Sequence, residues 1–256
     1  MKQTKQQTAA IVIIGNEVLS GKVEETNSGF LIRRFRELGV RLRRVEIIAD
    51  EVEEIGRAVR SASADHDIVI TTGGVGPTHD DITMGAIAHA FGVPLVRHPD
   101  LLRLVEGFFG EGATEAHRTL ADVPEGSHLV GHERPPWPTV CYRNVYILPG
   151  IPKYMRARFD VFASSFSGPP LFHGFLDVES FEAEICEQLN TVVNAYPDLE
   201  IGSYPRQEGS SWFVRITVEG SEYAAVEESL SKLSTLLDDK VRFVEAVKAT
   251  GTSSAC

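Results

Sequence analysis

The strand-loop-helix pattern of this chain is clearest in Asp67–Gly92, which reads DIVITTGGVGPTHDDITMGAIAHAFG. Its first part, Asp67–Thr71, is short, apolar and rich in β-branched residues, which predicts a strand buried on both faces of a parallel sheet. A polar, glycine-rich loop follows, and a helix is expected from near Ile82 to Phe91. Open parallel sheets bind ligands beyond the carboxyl ends of their strands, so this loop is the first candidate ligand site.

The same alternation of strand and helix continues on both sides of that stretch. Ala9–Ile14 is a wholly apolar run that predicts another buried strand, and Val45–Ala49 and Asn144–Leu148 predict two more. The expected fold class is therefore α/β with a mostly parallel sheet. Helices are predicted at Asn27–Leu38, after a capping-box-like pair at Asp50 and Glu53, and at Pro99–Leu120.

A joint rich in Ser, Gly and Pro, at Ser164–Pro170, separates this region from a second one. From Phe172 to Val244 the predicted order is strand, helix, two strands, helix and strand, which is the βαββαβ order of a ferredoxin-like domain. We expect an α/β domain over residues 9–165, a small α+β domain over 171–246, and a disordered tail over 247–256.

Composition restricts the partners and the compartment. The 256 residues carry a formal net charge of −11, which argues against nucleic acid as a partner because phosphate backbones are bound by clustered Lys and Arg. Cys141, Cys186 and Cys256 have no metal-like spacing, so neither a disulfide framework nor a zinc site is indicated. No run of 18 apolar residues occurs, so no membrane span is expected. We expect a cytoplasmic protein whose partner is a small molecule, and a homo-oligomer is left open.

Three glycines of the central loop, Gly73, Gly74 and Gly76, let consecutive backbone N–H groups approach phosphate oxygens without obstruction by side chains. Thr72 leads into the loop, and the start of the next helix adds partial positive charge. Glycines also serve ordinary tight turns, so this pattern alone leaves a phosphate site and a structural turn open.

Oxygen-bearing side chains are concentrated just after those glycines. Thr78, Asp80, Asp81 and Thr83 offer the hard ligands that a divalent ion such as Mg, Mn or Co prefers, and Asp80 and Asp81 are the candidate metal ligands. The alternative is that Asp81 only caps the following helix while Asp80 is an exposed loop acid.

Two further strand ends are expected at the same edge of the sheet. After the first strand come Gly15 and Glu17, and Glu17 is either a metal ligand or base, or an ordinary loop acid. Thr26 and Asn27 are candidate ligand contacts, or one of them is a helix N-cap. Pro149 and Gly150 end another strand, and Gly150 permits close approach of a ligand.

Four segments together resemble one known family. IGNEVLSG (14–21), EETNS (24–28), ITTGGVGPTHDD (70–81) and LPGIP (148–152), in this order, resemble the molybdopterin-binding domain, closest to its versions in competence-damage-inducible protein A and in the N-terminal half of eukaryotic FAD synthase. The resemblance spans roughly residues 9–162. The second domain is similar to the middle region of that FAD synthase, around Phe172-His173 and Ile201–Pro205.

The resemblance implies a Mog-like three-layer fold and a metal-dependent nucleotide pyrophosphohydrolase that cleaves FAD or ADP-ribose-type diphosphates and releases AMP. Two alternatives stay open: a non-catalytic pterin- or nucleotide-binding protein, and a step of molybdenum-cofactor biosynthesis such as molybdopterin adenylylation. The expected catalytic acids are Asp80, Asp81 and Glu17. The expected substrate-binding residues are Gly15, Thr26, Asn27, Thr72, Gly73, Gly74, Gly76, Thr78, Pro149 and Gly150.

The chain departs from the family pattern at two places. Asn16 stands where many relatives carry Asp, and Gly131–Pro138, predicted to be a rigid irregular loop, replaces a glycine-containing stretch of bacterial members. The first difference removes a carboxylate from any metal site, and the second changes a loop beside the expected pocket.

Overall fold

The computed structural model of the protein describes residues 6–131, 137–209 and 211–250. The chain divides into two compact units between Gly168 and Pro169. This division falls inside the predicted joint at Ser164–Pro170.

The first unit is built on a six-stranded sheet, counted over the described residues. Four neighbouring strands are parallel, and the last two continue the sheet antiparallel. The mostly parallel α/β sheet predicted from the sequence is therefore confirmed. In spatial order the strands are β2 (Arg41–Ile48), β1 (Thr8–Ile14), β3 (Ile68–Thr72), β8 (Val145–Leu148), β7 (Thr139–Tyr142) and β6 (His128–Val130), and a separate pair is formed by β4 (Leu95–Arg97) and β5 (Asp122–Pro124).

Helices cover both faces of this sheet. Successive residues of β1 point to opposite faces, so Ala10, Val12 and Ile14 enter one core and Ala9, Ile11 and Ile13 enter the other. The helices are α1 (Asn16–Leu19), α2 (Asn27–Glu37), α3 (Val52–Asp65), α4 (Thr83–Phe91), α5 (Pro99–Phe109), α6 (Glu115–Arg118) and α7 (Pro152–Phe162), with short 3₁₀ turns at Gly110–Gly112, Thr119–Ala121 and Ala163–Ser165.

The two cores differ in composition. Aliphatic side chains of α3, α4 and α5 fill the first. Phenylalanines of α2 and α7 dominate the second, where Phe159 is fully buried and its ring packs edge-on against Phe30, Phe35 and Phe162 at centroid distances of 6.0, 5.6 and 5.5 Å. Sheet and helices thus form the three layers that the sequence predicts.

Several element boundaries differ from the prediction. The helix expected over Pro99–Leu120 stops at Phe109, because Gly110 takes a positive φ of 57° and turns the chain. Strand β2 starts four residues before Val45. The capping box at Asp50 and Glu53 is wrong: the N-cap of α3 is Glu51, and no side chain caps that helix. Of the predicted loop Gly131–Pro138, residues 132–136 lie outside the described residues.

The second unit has the predicted βαββαβ order. Its four strands form an antiparallel sheet in the order β10-β11-β9-β12, with both helices packed on its core. The elements are β9 (Phe172–Val178), α8 (Cys186–Ala195), β10 (Glu200–Glu208), β11 (Ser211–Gly220), α9 (Tyr223–Leu237) and β12 (Val241–Ala249).

The last strand corrects the predicted tail. β12 continues to Ala249, and the Thr250 N–H donates to the Leu171 carbonyl at 2.7 Å, so residues 247–250 are part of the sheet and its margin. Residues 251–256 lie outside the described part of the chain. Across the described residues, the helices are all too short or too polar to cross a membrane.

The phenylalanine core yields a stability prediction. Phe159→Ala should lower the free energy of unfolding by about 3–5 kcal/mol, because it leaves a cavity among fully buried rings. Phe108→Ala is the matched control: Phe108 is 71% exposed, so its loss should cost no more than about 1 kcal/mol. Urea unfolding of both variants makes the comparison, and equal losses would contradict the assigned core.

A candidate ligand site at the carboxyl ends of the strands

The loops that follow β1, β3 and β8 touch one another. A Cβ atom placed on Gly73 would overlap the Ile14 carbonyl oxygen, and one placed on Gly150 would lie 3.4 Å from the Gly73 Cα atom. The Gly73 N–H also donates to the Leu148 carbonyl at 3.2 Å. The structure therefore brings together Gly15, Gly73 and Gly150, the three predicted strand ends.

The central loop requires its glycines. Gly73 and Gly74 have positive φ values of 108° and 62°, which L side chains rarely adopt. A Cβ on Gly74 would overlap the Thr83 hydroxyl, and one on Gly76 would lie 2.5 Å from an Asp81 carboxylate oxygen. Among the described residues, the backbone N–H groups of Gly74, Val75 and Gly76 have no hydrogen-bond partner. Three consecutive donors are thus left for a ligand.

Thr83 fixes this loop to the start of α4. Its buried hydroxyl donates to the Gly73 carbonyl at 2.9 Å, and its backbone N–H donates to the Gly74 carbonyl at 3.0 Å. The Gly73 and Gly74 carbonyls therefore point towards the start of α4.

Asp81 does not cap α4, in contrast to the alternative reading of the sequence. The N-cap is Ile82 and has no side-chain hydrogen bond. The Asp81 carboxylate instead accepts from the Thr78 N–H at 2.9 Å and from the Thr78 hydroxyl at 2.5 Å. Asp80 also lies 2.6 Å from that hydroxyl, and this hydrogen bond lowers the pKa of the Asp80 carboxyl. One threonine therefore holds the two acids side by side.

Asn27 links two of the loops. It is almost fully buried, and its side-chain amide donates to the Gly150 carbonyl at 2.7 Å and to the Thr72 hydroxyl at 3.4 Å. Its carbonyl oxygen Oδ1 is buried without a partner among the described residues. Asn27 therefore positions the Gly150 loop beside β3.

The N-terminus of α2 is capped by a residue that the sequence reasoning missed. Glu25 accepts from the backbone N–H groups of Asn27 and Ser28 at 2.6 and 2.9 Å. Thr26 holds the N-cap position but its side chain makes no capping bond. A carboxylate beside a helix N-terminus is the signal that could have indicated Glu25.

Asp50 is a second missed residue of the site. It follows β2, and its carboxylate accepts from the Asn16 N–H at 2.7 Å, while its other oxygen lies 3.6 Å from the Cβ position of Gly74. The capping-box pattern misassigned it, although its place after a parallel strand marks the same edge of the sheet. Asp50 thus adds a carboxylate beside the Gly74 donor.

Glu17 lies over the first loop. Its carboxylate oxygens are 2.6 and 2.8 Å from the Cβ position of Gly15. Within the described residues, no group of three or more His, Cys, Asp or Glu side chains is arranged to hold a metal ion, so Glu17 does not join Asp80 and Asp81 in such a group.

A cavity of about 510 Å³ opens beside the central loop. Four of the predicted site residues line it: Gly74, Gly76, Thr78 and Asp81. The others do not, namely Gly15, Glu17, Thr26, Asn27, Thr72, Gly73, Asp80, Pro149 and Gly150. The cavity has the size of an ordinary small-molecule site, about 300–1,000 Å³.

Comparison with known proteins assigns both parts of the chain to described families. Residues 10–170 match the family described as a probable molybdopterin binding domain, and residues 170–245 match the FAD synthase middle domain. The first match covers more than half of the chain. This protein therefore belongs to the molybdopterin-binding-domain family, and the resemblance read from the sequence is confirmed.

Two relatives match this chain over most of its length. A protein of Archaeoglobus fulgidus, whose name states no function, is 33% identical over 230 residues, covering 90% of this chain and 98% of its own length. A probable FAD synthase of Caenorhabditis elegans is 31% identical over 273 residues, covering 96% of this chain. The match covers 53% of that probable FAD synthase, about half of its length.

A solved structure agrees with the fold of the first unit. The protein CinA, of unknown function, from Thermoplasma acidophilum superposes with a TM-score of 0.58 at 28% identity, covering 64% of this chain and 99% of that one. The predicted fold class is confirmed by this likeness.

The contact between Gly73 and Ile14 yields a test. Gly73→Ala should lower the free energy of unfolding by at least about 1–3 kcal/mol, because the methyl group meets a carbonyl oxygen at a strained φ. Gly85→Ala in α4 is the control, since its methyl would meet only Leu95 at 3.8 Å, and it should be neutral or stabilising by up to about 1 kcal/mol. Wild-type stability in the Gly73 variant would show that the loops are not packed this closely.

Proposed function

We propose that the first unit binds a nucleotide diphosphate at the central loop and hydrolyses it with the help of a divalent cation, releasing AMP and a second monophosphate. The main observation in support of this proposal is that three unpaired backbone donors lie in the same loop as two carboxylates held by Thr78. FAD and ADP-ribose are the substrate candidates.

The backbone donors are suited to phosphate oxygens. The N–H groups of Gly74, Val75 and Gly76 are consecutive, and the glycines carry no side chain that would keep a ligand away. An acidic protein has to rely on such backbone groups when it binds an anion, because its own side chains carry a surplus of negative charge.

The surrounding acids favour a cation that arrives with the ligand. Asp50 and Asp81 lie beside the loop, and Asp80 is held near Asp81. Their charges repel a bare diphosphate at a distance of a few ångströms, so a divalent ion between acids and phosphates would turn this repulsion into attraction. The same acids explain how an anion-binding loop can select metal-bound nucleotides.

The donor set fits such a shared ion and not a resident one. Asp80 is exposed and Asp81 is half-buried, both are hard oxygen donors, and magnesium is commonly held by one or two carboxylates together with substrate phosphates. No three-ligand group is present in the described part of the chain. When bound, the ion would offset phosphate charge and activate water for attack on phosphorus.

The remaining residues orient the reactants. Thr83 fixes the central loop, and Asn27 fixes the Gly150 loop that packs against it, so the central loop has a defined position before a ligand binds. Glu17 lies over Gly15 and outside the cavity lining, so a role as proton acceptor would require its side chain to turn towards the central loop.

A binding protein without turnover is the second candidate. It is supported by Thr78, whose hydrogen bonds to Asp80 and Asp81 occupy part of their capacity to ligate a cation. In that case a pterin or nucleotide would be held by the same backbone donors.

Turnover assays separate the two candidates. The purified protein, incubated with FAD or ADP-ribose and with Mg²⁺, Mn²⁺ or Co²⁺, should release AMP, and a chelator should abolish the release. Asp81→Asn keeps an oxygen that accepts from Thr78 but removes the charge, so turnover should fall about 100-fold while the thermal midpoint stays within about 4 °C. Asp80→Asn should give a similar or milder loss.

Asp198→Asn serves as the control, because it makes the same charge change at an exposed position of the second unit. Its turnover should equal that of the wild type. Folded Asp80 and Asp81 variants with wild-type turnover would refute the proposed cation site. Tight nucleotide binding without cleavage under any metal would replace hydrolysis with the binding function.

A further inference from the structure

A second cavity of about 400 Å³ lies next to the cavity at the central loop, in the first unit. The two cavities share Val75, Met84 and Leu120 in their walls, so they are direct neighbours on either side of these side chains. The second cavity is mainly apolar, and aromatic rings make up much of its wall. These rings belong to Phe108, Phe109, Trp137 and Tyr154.

Contacts among the rings set their positions. Phe108 lies edge-on to Phe109 and to Trp137, at centroid distances of 5.0 and 5.9 Å, and Phe109 stacks on His117 at 3.8 Å. Phe108 is nevertheless 71% exposed. Its ring therefore keeps an uncovered apolar surface at a cavity wall, which a planar ligand could cover.

Arg158 brings a positive charge into this wall. Its Nε atom is buried without a hydrogen-bond partner, and its guanidinium forms no ion pair, within residues 6–131, 137–209 and 211–250. Burial lowers the pKa of the Arg158 side chain, which reflects the cost of placing this charge in an apolar wall. An acceptor atom from a ligand would offset that cost.

We propose that this cavity binds a planar heterocycle that carries carbonyl acceptors, the chemistry of a flavin ring, with Arg158 donating to those acceptors and Phe108 covering the ring. This inference rests on the proposed function, because the phosphate of the same ligand would lie at the neighbouring central loop. It narrows the substrate class to diphosphates with such a ring.

Arginine favours this ring over adenine. A guanidinium has five N–H donors and no acceptor, so it complements the two carbonyl oxygens of a flavin ring, whereas adenine has no carbonyl oxygen and offers only its ring nitrogens as acceptors. The terminal ribose of ADP-ribose is polar and non-planar, and it would leave the rings of Phe108 and Trp137 uncovered. The cavity therefore discriminates between the two candidate substrates.

FMN and AMP provide a matched pair of probes. Each carries one heterocyclic ring system and one phosphate, and neither contains a diphosphate bond. Their dissociation constants can therefore be measured by equilibrium dialysis with Mg²⁺ present and without turnover. Phe108→Ala and Arg158→Met should each weaken FMN binding about tenfold and AMP binding less than about twofold. Exposed Phe181→Ala and Arg57→Met, the controls, should change neither constant.

Thermal unfolding verifies that the variants fold. If Arg158→Met does not fold, Phe108→Ala still tests the proposal, because Phe108 is exposed. Four outcomes would overturn the ring site. The variants could lose AMP binding instead of FMN binding, lose both equally or change neither, or the wild type could fail to bind FMN. If the protein releases AMP from FAD but Phe108→Ala does not weaken FMN binding more than AMP binding, the ring site alone is overturned and hydrolysis stands. Selective loss of FMN in a protein that cleaves no nucleotide overturns hydrolysis alone.

Discussion

The close packing of Gly73 against the Ile14 carbonyl is the constraint on which the site depends. It is possible only without a side chain, and it brings the ends of β1 and β3 into contact, with Gly150 beside them. Thr83 then holds the same loop from the helix side. The Gly73 and Gly74 carbonyls accept from Thr83, while the N–H groups of Gly74, Val75 and Gly76 have no partner among the described residues.

Charge distribution gives this arrangement its chemical character. In this strongly acidic chain the central loop presents backbone N–H donors, and carboxylates lie directly beside them. This combination is unfavourable for a bare anion and favourable for an anion accompanied by a cation. The neighbouring cavity adds aromatic rings and the guanidinium of Arg158. Adjacent environments of this kind match a ligand with a charged diphosphate and a flat, carbonyl-bearing ring.

Local sequence patterns predict most of the fold and the central loop. Buried β-branched runs and the Gly73–Gly76 pattern report on backbone conformation, which depends on nearby residues. The misassigned Asp50 fits a local capping pattern, yet its partner Asn16 is 34 residues away and is reached only through the parallel pairing of β1 and β2. Arg158 gave no local signal, because the cavity that it lines is formed with residues distant in sequence, among them Leu101, Phe108 and Phe109 of α5.

Amide NMR of the central loop measures the main claim directly. Titration of the isotope-labelled protein with ADP and Mg²⁺ should shift the backbone N–H resonances of Gly74, Val75 and Gly76 and slow their hydrogen exchange, because these groups gain phosphate oxygens as acceptors. The amides of the second unit, for example in α9, should stay unchanged. Saturable binding that leaves the three loop amides unshifted would contradict the account.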